Sequence, residues 1–109
     1  MDNCIFCNIQ KGELNAIYQD DKCFAINDIS PAAPMHVLVI PKEHYQSIEQ
    51  TPSELILHLM DVAKKIIASN ELAKGGHRIV INTGENGGQS VPHLHIHIIA
   101  GRQLSWPPG

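Results

Sequence analysis

Residues 93 to 97 read His-Leu-His-Ile-His and lie within an apolar run from Val91 to Ile99. If this run is a β-strand, its side chains alternate between two faces, so the three histidines share one face and the apolar residues between them face a core. A row of imidazoles on a buried strand costs desolvation free energy. Histidine is also the side chain that changes charge nearest to neutral pH. The pattern therefore indicates a site of chemistry.

Histidines at this spacing can support two kinds of chemistry, metal binding and nucleophilic attack. Neighbours two apart on a strand are separated by about 6.6 Å and the outer pair by about 13 Å, so two could bind one metal ion but all three hardly could. A central imidazole that attacks phosphorus, with its neighbours binding phosphate oxygens, fits without strain. The loop of residues 83–90 adds glycines that let backbone amides approach a phosphate. The structural alternative is a row of hydrogen-bonded sheet histidines.

The rest of the chain predicts the elements that position this strand. A short helix is predicted from Cys4 to Gln10, capped by Asn3 and ended by Gly12. Strands are predicted at residues 17–19, 23–26, 35–40, 78–82 and 91–99. The long helix starts at a predicted capping box, Thr51-Pro52-Ser53-Glu54, and ends at Gly75-Gly76 at the latest. Strands on both sides of one long helix predict an α+β fold with a mainly antiparallel five-stranded sheet.

Length and composition exclude several classes of protein. A chain of 109 residues forms one domain, and an apolar fraction of 43% argues against disorder. The net charge is -3 and no basic block is present, so a nucleic-acid groove is not indicated. No stretch reaches the length of a membrane span. Three cysteines without a secretory signal favour a reducing compartment, and we expect a cytoplasmic protein.

Residues 93–99 match His-φ-His-φ-His-φ-φ in full, where φ is apolar, and the chain therefore resembles the histidine-triad (HIT) family. Further matches fall in family order: Phe24, Asp28-Ile29-Ser30-Pro31, His36 to Lys42, Asn82, Gly87-Gly88-Gln89-Ser90, Gly101-Arg102-Gln103 and Trp106-Pro107-Pro108-Gly109. The ending resembles the branch of histidine-triad nucleotide-binding proteins. The resemblance implies one domain over residues 1–109 with an irregular C-terminal tail. It also implies a homodimer in which the long helix and a strand each pair with their copies across a two-fold axis, so that the two sheets become one continuous sheet.

The resemblance further implies a purine nucleoside phosphoramidase, which cleaves the P–N bond of AMP or GMP joined to an amine. The implied catalytic residues are His95 as the nucleophile that forms a nucleotidyl-histidine, His97 on phosphate, His93 and His36 in the histidine network, and Ser90 near the leaving group or phosphate. The implied substrate contacts are Asp28 on the ribose, Ile29 and Phe24 at the base, and Asn82, Gly88 and Gln89 near the phosphate. Trp106 would either shape substrate choice across the dimer or cover apolar surface. Neither an organic cofactor nor a catalytic metal is implied.

Cys4-Ile5-Phe6-Cys7 is a C-x₂-C motif, which alone is half of a zinc site. The resemblance supplies the other half, His44 and His93. Zinc held by four protein ligands has no open position, so its role would be structural. The alternative is a short helix with two partly buried thiols and a surface histidine at position 44. Outside these sites, we expect Cys23 in the core, and His58 and His77 on the solvated surface.

Three other functions stay open at this point. Dinucleoside polyphosphate hydrolysis is disfavoured by the ending Trp106-Pro107-Pro108-Gly109. A nucleotide-binding or partner-binding module would need no catalysis, although an intact central histidine argues against it. A small zinc protein would use the histidines as metal ligands.

Overall fold

The computed structural model describes residues 4–11 and 15–109, which form an α+β fold. Its elements are α1 (Ile5–Lys11), β1 (Tyr18–Gln19), β2 (Cys23–Asn27), β3 (Met35–Pro41), α2 (Ser53–Ser69), β4 (His77–Val80) and β5 (Ile96–Ala100), with 3₁₀ turns at Ile48–Gln50 and Glu71–Ala73. The strands form one five-stranded sheet in the order β1-β2-β3-β5-β4, and every neighbouring pair is antiparallel. The predicted fold class is therefore confirmed.

Strand β3 is buried along its whole length, and it lies at the centre of the sheet. One face of the sheet packs against α2, whose buried residues recur at helical spacing. The other face, below α1, carries a smaller apolar cluster: Cys4, Phe6, Phe24, Leu38 and Ile40. Because both faces are covered, β3 reads as a nearly continuous apolar run, as the sequence predicted.

The predicted fifth strand starts too early. Ladder pairing begins at Ile96 rather than Val91, so His93 and His95 precede β5. In that segment the Leu94 N–H donates to the carbonyl of Tyr45, at 2.7 Å, instead of to a neighbouring strand. The alternation of faces nevertheless holds, since Leu94, Ile96 and Ile98 all lie in the main core. Strand β4 similarly ends at residue 80, before the predicted position 82.

The predicted capping box of the long helix is wrong. Helix α2 begins at Ser53 without a side-chain cap. The Thr51 hydroxyl instead donates to the carbonyl of Ser47, at 2.8 Å, and the true capping box joins Ser47 and Gln50 one turn earlier. Thr51 is thus used to close the preceding 3₁₀ turn. The predicted cap and stop of α1, Asn3 and Gly12, lie outside the described residues.

Within residues 4–11 and 15–109, no helix combines the length and the apolar character that crossing a membrane requires.

Candidate active site

The three triad histidines are linked by ring contacts, directly between His95 and His97 and through the Phe6 ring between His93 and His95. The ring centroids of His95 and His97 are 4.9 Å apart, and the Phe6 ring from α1 contacts both His93 and His95. His93 and His95 are buried, whereas His97 is half-buried. The structure therefore brings the three predicted histidines together, with Phe6 of α1 packed against His93 and His95.

The hydrogen bond of His95 determines which of its nitrogens can react. Its Nδ1 lies 2.8 Å from the backbone carbonyl of His93. A carbonyl oxygen only accepts, so Nδ1 carries the proton, and Nε2 of the neutral ring keeps its lone pair. A fixed tautomer with a free Nε2 is what a nucleophilic imidazole needs.

His97 has the opposite arrangement, which is set by His36 on β3. The N–H of Ala32 donates to His36 Nδ1 at 3.0 Å, so His36 Nε2 carries a proton. That Nε2 lies 2.9 Å from His97 Nδ1, which must accept, and His97 Nε2 is therefore a donor. Burial, together with the neighbouring His95 and His36, lowers the pKa of His97 to about 4, so the ring is neutral at pH 7.

Asp28 lies at the edge of this histidine pair. One of its carboxylate oxygens is 3.5 Å from His36 Nε2, and the other accepts the backbone N–H of Ser30 at 2.8 Å. Ile29, next to it, is 96% exposed, so its apolar side chain is available to a ligand. Phe24 is wholly buried in the apolar cluster and supports this region from behind. The predicted base and ribose contacts stay predictions.

The glycine loop is held in shape by two of the predicted phosphate contacts. The side-chain amide of Asn82 donates to the carbonyl of Gly87 at 2.7 Å. That of Gln89 donates to the carbonyls of Gln46 and Val91, while its oxygen accepts the Gly84 N–H. Both side chains therefore brace the loop, and their direct contact with phosphate stays a prediction.

The loop backbone also needs its glycines. A Cβ at Gly87 would overlap the carbonyl oxygen of Thr83, and Gly88 has φ +75°, a conformation that other residues rarely adopt. Ser90 ends the loop with an exposed side chain that makes no hydrogen bond to the described residues. Its hydroxyl is therefore free for a ligand.

The two cysteines of the C-x₂-C motif lie close to His44 and to the first triad histidine, His93, as predicted. Their donor atoms are Cys4 Sγ, Cys7 Sγ, His44 Nδ1 and His93 Nδ1. The S–N distances are 3.3, 3.3 and 3.5 Å, and the N–N distance is 3.1 Å. Around tetrahedral zinc, with the usual bond lengths, neighbouring ligand atoms lie about 3.3 to 3.8 Å apart. The three S–N distances fall in this range, the N–N distance is slightly shorter, and all four donors lie within 4.8 Å of one another, so they can surround one tetrahedral ion.

The protonation of His93 agrees with this fit. Its Nε2 lies 2.8 Å from the carbonyl of Pro41, so Nε2 carries the proton and Nδ1 offers a lone pair to the cluster. Burial lowers the pKa of His93, which keeps the ring neutral. A carbonyl that fixes the far nitrogen is the usual support of a metal-binding histidine. His93 thus faces the cluster with its ring and His95 with its backbone carbonyl.

A match to the HIT domain model extends over residues 11–104, most of the chain. The chain belongs to the HIT family. An uncharacterised HIT-like protein of Synechococcus elongatus is 45% identical over 99% of this chain and 98% of its own. The crystal structure of a HIT family hydrolase from Legionella pneumophila has a TM-score of 0.90 at 42% identity, over 98% of this chain and 100% of that one. A zinc-bound histidine triad family protein from Mycobacterium smegmatis has a TM-score of 0.84 at 34% identity, over 96% and 81%.

Three predicted site residues, Trp106, Cys4 and Cys7, lie outside the residues that match the HIT domain model. Trp106, in the C-terminal tail, is 81% exposed, so neither of its two predicted roles is decided. Cys4 and Cys7 precede the matched range. A separate surface groove of about 590 Å³ is lined by residues around the start of β4 and by residues 101–104, and no predicted site residue of this HIT protein lines it.

One histidine differs from its prediction. His58 on α2 is not merely solvated, because its Nε2 lies 2.7 Å from a carboxylate oxygen of Asp20. Burial alone would raise the pKa of Asp20, but N–H donors from Lys22 and Cys23, with Tyr18 and His58, hold it well below its usual range. Cys23 is completely buried, as predicted, and burial together with the nearby Asp20 charge raises its pKa to about 12. This cluster connects the β1–β2 turn to α2.

Phe6 is the site residue that the sequence reasoning missed. Its ring contacts two triad histidines, at centroid distances of 5.8 Å and 5.0 Å. The only signal in the sequence is its place between the two cysteines, which by itself predicts no contact with residues near position 95.

Proposed function

We propose that this HIT protein is a purine nucleotide hydrolase that cleaves nucleoside monophosphate phosphoramidates through a covalent nucleotidyl-histidine. The observation that carries the proposal is the pair of opposite tautomers in contact. His95 offers the lone pair of Nε2, and His97 beside it offers an Nε2–H donor. A phosphoryl group presents the matching partners, an electrophilic phosphorus and anionic oxygens.

In the proposed reaction, His95 Nε2 forms a bond to the α-phosphorus and the P–N bond breaks. The resulting imidazolium keeps its Nδ1–H on the carbonyl of His93, which stabilises the positive charge. The leaving nitrogen takes up a proton from solvent through the Ser90 hydroxyl and departs as the amine. Water then attacks phosphorus and loses a proton to solvent, and the bond between phosphorus and Nε2 breaks, which releases the nucleoside monophosphate and restores neutral His95. One water is consumed in each cycle.

The other residues bind and orient in this proposal. His97 donates from Nε2 to a phosphate oxygen, and His36 holds it in that tautomer. The carboxylate of Asp28, an acceptor with two oxygens, binds the ribose hydroxyls. The exposed Ile29 side chain covers the base, with Phe24 behind it. The amide of Gly88 lies in the loop that Asn82 and Gln89 brace.

We also propose that the cysteine–histidine cluster holds a structural zinc ion. Cys4, Cys7, His44 and His93 would supply all four ligands, which leaves no position for substrate. When bound, the ion would contribute folding free energy and Lewis-acid attraction to its four ligands only. The zinc-bound relative from Mycobacterium smegmatis supports this assignment.

A homodimer completes the proposal. Strand β4 lies at the edge of the sheet, and α2 exposes Leu57, which is 64% accessible. An unpaired edge strand is a template for pairing with another chain, and the two-fold copy of the same edge would extend the sheet. Trp106 would then reach the partner's site. Light scattering during gel filtration measures the mass, and a monomer at assay concentration would contradict this part.

The test is intact-mass spectrometry after rapid quenching with an adenosine phosphoramidate. We expect a nucleotidyl adduct on the wild type and none on His95→Ala, with AMP measured in the same samples because a short-lived adduct can escape detection. His58→Ala is the control, since it removes a histidine of α2 whose ring contacts Asp20 and lies outside the candidate site and away from the β4 edge. Wild-type protein that forms neither adduct nor AMP refutes the enzymatic proposal and favours a binding module.

A further inference from the structure

Phe6 links the cysteine cluster to the candidate nucleophile. It lies on α1 between Cys4 and Cys7, and it is buried in the apolar cluster below the histidines. Its ring meets His93 at 5.8 Å with an interplanar angle of 89°, and His95 at 5.0 Å with an angle of 71°. Edge-to-face contacts at these distances are the favoured geometry for aromatic pairs.

The contact supplies a constraint that the hydrogen bond of His95 lacks. The bond from Nδ1 to the His93 carbonyl fixes one atom of the ring and its tautomer. The ring can still tilt about that bond, and tilting moves Nε2, at the far side of the ring, out of line with its target. A second ring packed against the imidazole at 71° limits the tilt. Reacting atoms must meet within a narrow range of positions, so such a limit affects the attack step.

We propose that Phe6 is a positioning residue that holds the His95 ring at the angle needed for attack, and that α1, through the cysteines on both sides of Phe6, holds Phe6 in place. The proposal rests on the proposed function of His95. By this proposal, the C-x₂-C segment contributes to the orientation of His95 as well as to the stability of the fold. The segment would act on the rate of attack and leave nucleotide affinity unchanged.

The test compares Phe6→Leu with Ile9→Ala. Both substitutions remove three carbons from α1, and Ile9 packs against the same apolar cluster without a ring contact to a histidine. We expect Phe6→Leu to lower kcat by about threefold to tenfold, the range for an aromatic contact, with KM unchanged. Ile9→Ala is expected to keep the wild-type kcat. Metal content and melting temperature are measured on both variants, and Phe6→Met replaces Phe6→Leu if the latter does not fold.

Two results would overturn the proposal. One is a wild-type kcat in Phe6→Leu. The other is an equal loss of kcat in Phe6→Leu and Ile9→Ala, which would mean that both substitutions only loosen α1. If the wild type cleaves no phosphoramidate, the proposed function fails separately, and the ¹H–¹⁵N spectrum of the His95 ring decides about Phe6. Sharp His95 ring signals in the wild type and Ile9→Ala, broadened by motion of the ring in Phe6→Leu, support positioning. Identical spectra in all three proteins refute it.

Discussion

Removing the donor of His36 tests the proton arrangement of the candidate site most directly. In the folded protein, His36 is buried and donates to His97 Nδ1 at 2.9 Å. His36→Leu leaves that nitrogen as an unsatisfied buried acceptor, which costs about 1–3 kcal/mol. The His97 ring can avoid this cost by moving its proton from Nε2 to Nδ1, but its Nε2 then presents a lone pair, instead of an N–H, to the phosphate oxygen of the proposed substrate. If the cost appears in the transition state, kcat/KM falls about 5- to 150-fold, at 1.36 kcal/mol for each tenfold change.

His36→Gln is the matched variant for this prediction, because its side-chain amide nitrogen reaches about as far as Nε2 and keeps an N–H donor. Steady-state hydrolysis of an adenosine phosphoramidate, with release of AMP followed by chromatography, gives kcat/KM for both variants. Melting temperatures separate a loss of fold from a loss of function. We expect glutamine to retain most of the activity that leucine loses. Wild-type activity in His36→Leu, or equal losses in both variants, would refute the assigned tautomers.

Three further predictions test other parts of the site. The pKa of His97 is lowered to about 4 in the folded protein, so as pH falls the unfolded chain binds this proton first. The free energy of unfolding should therefore fall by up to about 3 kcal/mol between pH 6.5 and pH 4. His97→Asn, which keeps an acceptor at the Nδ1 position, should lose less free energy of unfolding over this range in urea titrations, and an equal loss would contradict the assignment. Cys7→Ser should lower the zinc content and the melting temperature, because it removes one of the four proposed ligands. Adding a chelator to this variant should then lower its melting temperature little further. Wild-type protein that retains no zinc after dialysis against the chelator would argue against the metal site. Gly88→Ala, at φ +75°, should strain the loop by about 1 kcal/mol and raise KM for the phosphoramidate. The control Gly75→Ala, which has open space around it, should leave KM unchanged. Equal KM values for the two variants would contradict a role of the loop in binding substrate.

The parts of this fold that could be predicted are those that local patterns encode. The apolar run of β3 and the helical spacing of Leu59, Val62 and Ile66 predicted a buried strand and a covering helix, and both exist. The alternation around the triad predicted its two faces, even though pairing begins only at Ile96. Ladder boundaries depend on which backbone groups the neighbouring segments offer. The backbone N–H of Leu94 donates to the carbonyl of Tyr45, which is far away in the sequence, so no local pattern predicts this hydrogen bond.

The details that decide chemistry were not predictable in the same way. The contact of Phe6 with His95 and the hydrogen bond between His58 and Asp20 join residues that are distant in the sequence. Each depends on how α1 and α2 dock on the sheet. Resemblance to the HIT family suggested the residues of the site, yet only the three-dimensional contacts give each ring its tautomer. His93, for example, needs the carbonyl of Pro41 to direct Nδ1 toward the cysteines.

Three identical side chains acquire three different properties because each has a different partner on its second nitrogen. The carbonyl of Pro41 takes the Nε2–H of His93, so that ring presents Nδ1 to the cysteine cluster. The carbonyl of His93 takes the Nδ1–H of His95, so that ring presents a lone pair on Nε2. His36 donates to Nδ1 of His97, so that ring presents an N–H on Nε2. Since neutral imidazole has one donor and one acceptor, fixing one nitrogen determines the other. The order of a lone pair on Nδ1, a lone pair on Nε2 and an N–H on Nε2 therefore follows from two backbone carbonyls and from His36 on β3.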